Sequence, residues 1–302
     1  MHGGSLPNAV STRFFRPSPA LAPFISTIYL TEAALPAGEI ITDMLHPEWA
    51  NLRIVTRGTI DAAPAGLPLT RSPRVMAAGP TCRAMQFRTA GMRTWGIGLL
   101  PLGWAQFVGA PADAYADKVA AAADDPGFAH LADLARELAA IGPDPAREAA
   151  AIDAHFASRL GAPAPDAARI LAVHAALVDS AVDSVGALSQ RAGIAPRTLE
   201  RVTLRAFGFS PKLLLRRQRF LRSLAQFMLD PSLTWLSTLD WQYHDQAHFV
   251  RDFHRFMGMS PTAYAAQPKP VLGAAVRARA EAMGQAVQVL HQPDVLHQPG
   301  VG

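Results

Sequence analysis

Ser184-Val185-Gly186-Ala187-Leu188-Ser189-Gln190-Arg191-Ala192-Gly193-Ile194-Ala195-Pro196-Arg197-Thr198-Leu199-Glu200-Arg201 and, further along, Leu236-Ser237-Thr238-Leu239-Asp240-Trp241-Gln242-Tyr243-His244-Asp245-Gln246-Ala247-His248-Phe249-Val250-Arg251-Asp252-Phe253 read as two copies of one device. Each places a short apolar-patterned helix, a tight turn and a capping-type residue ahead of a second helix dense in Arg, His and Gln. That order is a helix-turn-helix. Both copies run into Gly-x-Ser-Pro, at Gly208-Phe209-Ser210-Pro211 and at Gly258-Met259-Ser260-Pro261. A repeated unit with a repeated exit turn is far harder to reach by chance than one motif.

The chain has 302 residues, room for two domains with a core each. Half of the residues are apolar and 17% are charged, a globular composition. No apolar run is long enough for a membrane span. The start, Met1-His2-Gly3-Gly4-Ser5, lacks the basic-then-apolar order of a secretory signal. Cys82 is the only cysteine, which excludes an internal disulfide and a cysteine-rich zinc site. A cytoplasmic protein with no membrane partner is expected. The net charge of +4 is uneven: residues 166–270 hold 13 Lys and Arg against 8 Asp and Glu, so the positive excess lies with the duplicated motif. Phosphate neutralisation supplies most non-specific DNA affinity, so the charge supports that reading.

Residues 13–108 look β-rich. Phe24 to Leu30, Asn51 to Thr56 and Trp95 to Leu100 are short apolar or β-branched runs bounded by turn formers. Residues 57–74 predict turns or a hairpin loop. Helical spacing then takes over, at Trp104 to Val108, Ala114 to Ala123, Phe128 to Ile141 and Ala146 to Leu160. Gly161-Ala162-Pro163-Ala164-Pro165-Asp166 predicts a linker. The expected domains are residues 1–162 (β-rich, cupin-like, with trailing helices), 166–270 (all-α) and a tail at 271–302. The tail is expected to be a helix of undetermined packing over 271–290 and disordered at its end.

In each unit the second helix is the candidate reader. Pro196 stands at a first helical turn, where its missing N–H costs nothing; Asp245 is a good N-cap. Removing the inward apolar positions leaves Pro196, Arg197, Thr198, Glu200, Arg201 and Arg205 in the first reader. The second keeps Gln246, Ala247, His248, Val250, Arg251, His254 and Arg255. Arg and Gln suit bidentate contacts with guanine and adenine edges, and small apolar groups suit the thymine methyl. A central helix over 212–229 would span roughly 27 Å. That length suits two readers held about one DNA turn, on the order of 34 Å, apart. Arg216, Arg217, Arg219 and Arg222 on it would contact phosphates or pair with acids between the units.

Residues 168–265 resemble the DNA-binding domain of the AraC/XylS family of bacterial transcription regulators. The matching residues are Leu188, Ala192, Gly193, Pro196, Arg197, Leu199, Arg201, Gly208, Ser210, Pro211, Arg219, Asp245, Gln246, His248, Phe249, Arg251, Phe253, Gly258, Ser260, Pro261 and Tyr264. The resemblance implies a seven-helix domain with two helix-turn-helix units that binds double-stranded DNA sequence-specifically. It also implies activation of transcription with RNA polymerase as partner, and common dimerisation. The chain departs from the family pattern at Ser189, Thr203, Thr238 and Gln242. The N-terminal half is more loosely similar to the β-rich sensor domains of such regulators. That likeness rests on Val75 to Pro80, Arg93-Thr94-Trp95-Gly96-Ile97 and Pro101-Leu102-Gly103-Trp104. It implies a small-molecule effector or a homodimer.

Other groups read as follows. Trp95, Trp104, Phe87, Met85 and Leu99 either line an effector pocket or form ordinary core, with core favoured. His46-Pro47-Glu48-Trp49 reads as a surface turn rather than the start of a metal site. His244 and His248 stand four apart but straddle the cap, which favours DNA contact or packing over zinc. Cys82 reads as inert. No paired carboxylates, phosphate loop or nucleophile elbow are present, so neither catalysis nor a cofactor is expected. Two rival classes remain: a cupin-type metal-dependent enzyme, and a ligand-binding protein whose helical domain binds protein.

Overall fold

The computed structural model describes residues 9–230, 234–235, 237–243, 245–284 and 286–291. Among them the N-terminal domain forms two antiparallel sheets. One has six strands: β1 (Val10–Phe15), β2 (Ile25–Ala33), β4 (Ala50–Gly58), β7 (Val75–Ala78), β9 (Met92–Leu99) and β10 (Val119–Ala121), in the order β1-β2-β9-β4-β7-β10. The other has four: β3 (Ile41–Leu45), β5 (Asp61–Pro64), β6 (Thr70–Arg71) and β8 (Met85–Thr89), in the order β3-β8-β5-β6. The three runs expected as strands are the central trio β2-β9-β4, and the Pro/Gly-rich stretch carries the β5–β6 hairpin.

β9 is buried at every position, because the six-stranded sheet is covered on both faces. The outer cover is α1 (Pro101–Phe107), α2 (His130–Ile141) and α3 (Pro145–Ala157), whose Leu131, Leu134, Leu138, Ile152 and Phe156 pack with Ile28, Ile54, Trp95 and Ile97. Gly142, at φ 78°, separates α2 from α3, and Asp144 caps α3. The helix expected over Ala114 to Ala123 is not formed. A single 3-10 turn at Ala112–Tyr115 gives way to β10, which pairs Val119 with Ala78 and closes the sheet edge. Alanine spacing imitated helical period there.

The helical domain comprises α4 (Ala167–Val178), α5 (Val185–Ala192), α6 (Pro196–Phe207), α7 (Pro211–Leu229), α8 (Gln246–Met257) and α9 (Pro261–Ala266). A seventh helix, α10 (Pro270–Met283), turns back onto the β-rich domain. The helix expected ahead of α8 is absent among the described residues; turns stand in its place. The N–H of Ser237 donates to Thr234 Oγ1, and the Thr238 hydroxyl donates to the Trp235 carbonyl, 3.1 Å. Ser and Thr side chains thus compete with the helical ladder for the backbone.

The two domains share one core. Met44, Trp49, Ala65, Ala84, Leu100 and Leu102 lie in the same cluster as Leu199, Phe207, Phe220, Phe253 and Phe256. The stretch expected as a linker is fastened: Ala164 is buried, its N–H donates to Gln106 Oε1 (2.9 Å), and Gln106 Nε2 donates to the Ala162 carbonyl (3.1 Å). His46, expected in a surface turn, is buried and hydrogen-bonded through Nε2 to the Tyr264 hydroxyl at 2.8 Å. The tail also packs. Asp43 Oδ2 accepts the N–H groups of Val271 and Leu272, and Gln288 Nε2 donates to Ser26 Oγ. Disorder is expected over the last dozen residues; His291 is instead ordered, its N–H donating to the Gln288 carbonyl at 3.0 Å, and residues 292–302 lie outside the described residues.

Candidate nucleic-acid interface

Both candidate reading helices form for local reasons. Ser184 Oγ accepts the Ala187 N–H to start α5, and Gly193 at φ 65° makes the turn into α6. Ala195 offers no side-chain cap, so Pro196 at the first helical position carries the start of α6 alone. Asp245 Oδ1 accepts the His248 N–H at 2.6 Å and starts α8. Each exit turn uses its glycine in the left-handed region, Gly208 at φ 81° and Gly258 at φ 72°, where a Cβ is strained. Leu199, Val202 and Ala206 on α6 are buried, as are Phe249, Phe253, Phe256 and Met257 on α8.

The N-terminal turns of both helices are open to solvent. Pro196, Arg197 and Glu200 are exposed and Thr198 is half-buried; Gln246, Ala247, Arg251 and His254 are exposed and Val250 is half-buried. Of the remaining candidates, Arg201 and His248 have partners within the protein, while Arg205 and Arg255 are exposed. Arg201 pairs with Asp166 at 2.8 Å, which lowers the Asp166 carboxyl below its usual range. Arg205 lies over a cleft with Gly109, Ala110 and Asp166, facing the β-rich domain. His248 is half-buried beside Arg219, its Nε2 at 3.1 Å from Nη2, and burial pushes its pKa down. Arg255 is exposed within electrostatic reach of Cys82. His244 falls outside the described residues.

The helix ends point the other way. Gly208 abuts Pro80 and the Ala112 carbonyl, Gly258 abuts Ala65, and the Phe256 carbonyl accepts the Ala84 N–H at 2.7 Å. Between them, Arg217 at the middle of α7 donates to the Thr81 carbonyl at 2.8 Å and stacks on Trp49, 4.1 Å from the ring. The loop joining β7 to β8, residues 79–84, therefore touches all three of α6, α7 and α8. The rest of the α7 arginines pair with acids between the units. Arg216 and Arg219 bind Asp252, and Arg222 binds Asp240 at 2.5 Å. Asp252 is fully buried and also accepts the Tyr243 hydroxyl at 3.0 Å, so these charges lock α8 onto α7. Gln242 donates to the Ser180 carbonyl at 2.8 Å and so ties the second turn to the loop between α4 and α5.

Of the candidate effector residues, Met85, Phe87 and Trp95 line a partly open pocket between the two sheets, together with Tyr29, Ile60, Met76 and Met92. Trp104 and Leu99 do not reach it. Both are buried in the core, where Trp104 Nε1 donates to the Ala110 carbonyl. Gly96 opposes Tyr29, and a Cβ there would fall within 2.1 Å of the ring, so glycine makes room for this wall of the cavity. Cys82 Sγ donates to Asp117 Oδ2 at 2.9 Å, and burial with that carboxylate pushes the thiol up to about 12, which agrees with an inert cysteine. Among the described residues no three His, Cys, Asp or Glu side chains come together as a metal site, and no helix is long and apolar enough to cross a membrane.

Residues 188–267 match the family model described as a helix-turn-helix domain. This region of the chain therefore carries a helix-turn-helix domain. Among solved structures, ToxT from Vibrio cholerae O395 is similar over 85% of this chain and 97% of its own, at 10% identity and a TM-score of 0.40. ToxT bound to (E)-4-(8-methylnaphthalen-1-yl)but-3-enoic acid matches at 9% identity and a TM-score of 0.42, over 85% of this chain and 98% of its own. The AraC-like transcriptional activator CuxR matches at 13% identity and a TM-score of 0.27, over 72% of this chain and 88% of its own. No curated protein matches the sequence.

Proposed function

We propose that this protein is a sequence-specific transcription regulator that reads two adjacent major-groove segments with α6 and α8 and answers a small molecule held in its β-rich domain. The observation that carries the reading is the shared arrangement of the two helices. Both leave an N-terminal turn bearing Arg or Gln in solvent, and both rest their C-terminal ends on the β-rich domain. Arg197, Gln246 and Arg251 are the assigned base readers, with Thr198, Ala247 and Val250 as short-range contacts beside them.

The coupling device is the loop of residues 79–84. Its flanking strands contribute Met76, Met85 and Phe87 to the inter-sheet cavity, and its backbone holds α7 and α8. A ligand that binds one placement of this loop better than another shifts the placement of the readers. The test is a mobility shift of the purified full chain on DNA fragments from its own locus. A competed, sequence-selective shift is expected, and its absence would refute the reading.

A further inference from the structure

The segment that follows the helix-turn-helix domain is built into both halves of the molecule. Lys269 Nζ donates to the carbonyls of Tyr264 and Gln267, which ties the start of α10 to α9. α10 then seats on the β-rich domain. Asp43 caps it, Val271 packs with Ile41, Phe87 and Met92, and Arg279 turns inward to donate to Thr27 Oγ1 at 2.9 Å. Beyond α10, Gln288 enters a slot at the ends of the three central strands. Its Nε2 lies 3.2 Å from Ser26 Oγ on β2 and 3.3 Å from the carbonyls of Ala50 on β4 and Leu99 on β9. Gly98 makes the slot, since a Cβ there would stand 2.6 Å from that nitrogen. The next residue serves the helical domain: Val289 is fully buried, and its carbonyl accepts from Gln218 Nε2 of α7 at 2.8 Å. Gln218 stands between Arg217, which holds the loop of residues 79–84, and Arg219, which pairs with Asp252 of α8. Two adjacent residues, Gln288 and Val289, thus join the strand ends to the helix between the two candidate readers.

We infer that the return segment, residues 270–291, is a clasp whose seating holds the helical domain in the placement that reads DNA and whose release loosens the second reader. With the clasp seated, the N-terminal turns of α6 and α8 are open to solvent, so release uncovers no reading surface. Release instead removes a tie between the domains. The second unit depends on that tie more than the first. Among its described residues turns stand where its first helix was expected, and α8 reaches the clasp through α9, with the Tyr264 ring 5.4 Å from that of Phe253. A terminal element held by its own set of contacts can open while the rest stays folded. Val271 also lines the pocket between the sheets, so an occupant of that pocket bears directly on the seat. The inference rests on the reader assignment of the proposed function and adds a regulatory element to it.

The test is hydrogen exchange read by mass spectrometry on the full chain, free and with a DNA fragment that it shifts. Residues 286–291 should exchange through an opening that leaves β9 protected. The fragment should slow that exchange at least about fivefold, because seating and DNA binding favour each other by one and the same factor. Val289→Asp should strip protection from residues 270–291 and weaken DNA binding by at least about fivefold, with the larger loss of preference at the base pairs that Arg251→Ala relaxes. Arg277→Gln, which makes the same change of net charge at an exposed position of α10, should do neither. Exchange of residues 286–291 in step with β9, exchange indifferent to the fragment, or release of the segment in Val289→Asp at unchanged affinity overturns the inference. The comparison on the unaltered chain decides the matter even if Val289→Asp does not fold. A chain that shifts no fragment sinks the regulator reading and the role of the clasp together, whereas a shift without any change in the exchange of residues 286–291 sinks the clasp alone.

Discussion

Arg217 reaches from the middle of α7 to the backbone carbonyl of Thr81, joining the helix between α6 and α8 to the loop between two strands of the β-rich domain. The contact is fully buried, with the guanidinium stacked on Trp49 and its pKa pushed down to about 10 by burial. One hydrophobic cluster continues through this junction from Met44 and Trp49 to Phe253 and Phe256. A shared core predicts a single cooperative unfolding transition, despite the two-domain pattern of the sequence. Urea denaturation followed by far-ultraviolet circular dichroism and by tryptophan fluorescence should superimpose. Two separated transitions would show that the junction contributes little.

Glu148 and Arg93 form a bidentate pair between α3 and β9, with Glu148 1% and Arg93 8% exposed. Removing one partner strands the other charge in the core. Glu148→Ala should therefore destabilise the chain by about 3–5 kcal/mol, and the double variant Arg93→Met, Glu148→Leu should recover most of that loss. Denaturant midpoints with unchanged slopes are the measurement.

Much of this architecture was legible in the residues, and the exceptions have physical causes. The α8 helix showed its cap, Asp245, and its buried phenylalanine stripe, both local signals. The central strands β2, β4 and β9 showed themselves by β-branched runs. β10 did not, because Val119-Ala120-Ala121 is short and lies in an alanine-rich stretch with helical spacing. The seating of α10 was hidden too: nothing local says that Asp43 will cap it or that Arg279 will turn inward. Arginine reads as a surface residue in sequence, so Arg217 and Arg279 declare themselves only once the sheets and helices meet. His46 is the same case, since its partner Tyr264 is more than two hundred residues away.

Two of the buried histidines contribute to the pH response, beside His155, which burial lowers to about 4. His46 and His174 are both pushed down to about 3, chiefly by burial. The unfolded chain takes up these protons near pH 6.5, well before the folded one does. Their stabilisation is therefore complete above about pH 6.5 and is lost progressively as pH falls toward 3, by about 1.4 kcal/mol per unit for each group. His174 packs edge-on against Trp49 and Phe207. His174→Phe should fold at pH 7.5 and show a shallower fall of the urea midpoint between pH 6.5 and 5. An unchanged slope would remove His174 from the account.

Gly208 carries two constraints at once, φ 81° and the approach of Pro80 and the Ala112 carbonyl to within 3.1 and 3.2 Å of any Cβ. Gly208→Ala should cost about 1–3 kcal/mol. The same substitution at Gly193, with a similar φ of 65° but open space around it, should cost less. Equal losses would mean that the domain contact at Gly208 adds nothing to the backbone strain.

The most direct measurement is selection of bound fragments from random DNA by the unaltered chain, by Arg197→Ala and by Arg251→Ala. If α6 and α8 read successive turns of one duplex, each substitution should relax preference at one or two base pairs, by about 1–3 kcal/mol. The two affected positions should then lie about 10 base pairs apart. Selection of no common sequence, or relaxation at the same base pairs by both substitutions, would contradict a double reader.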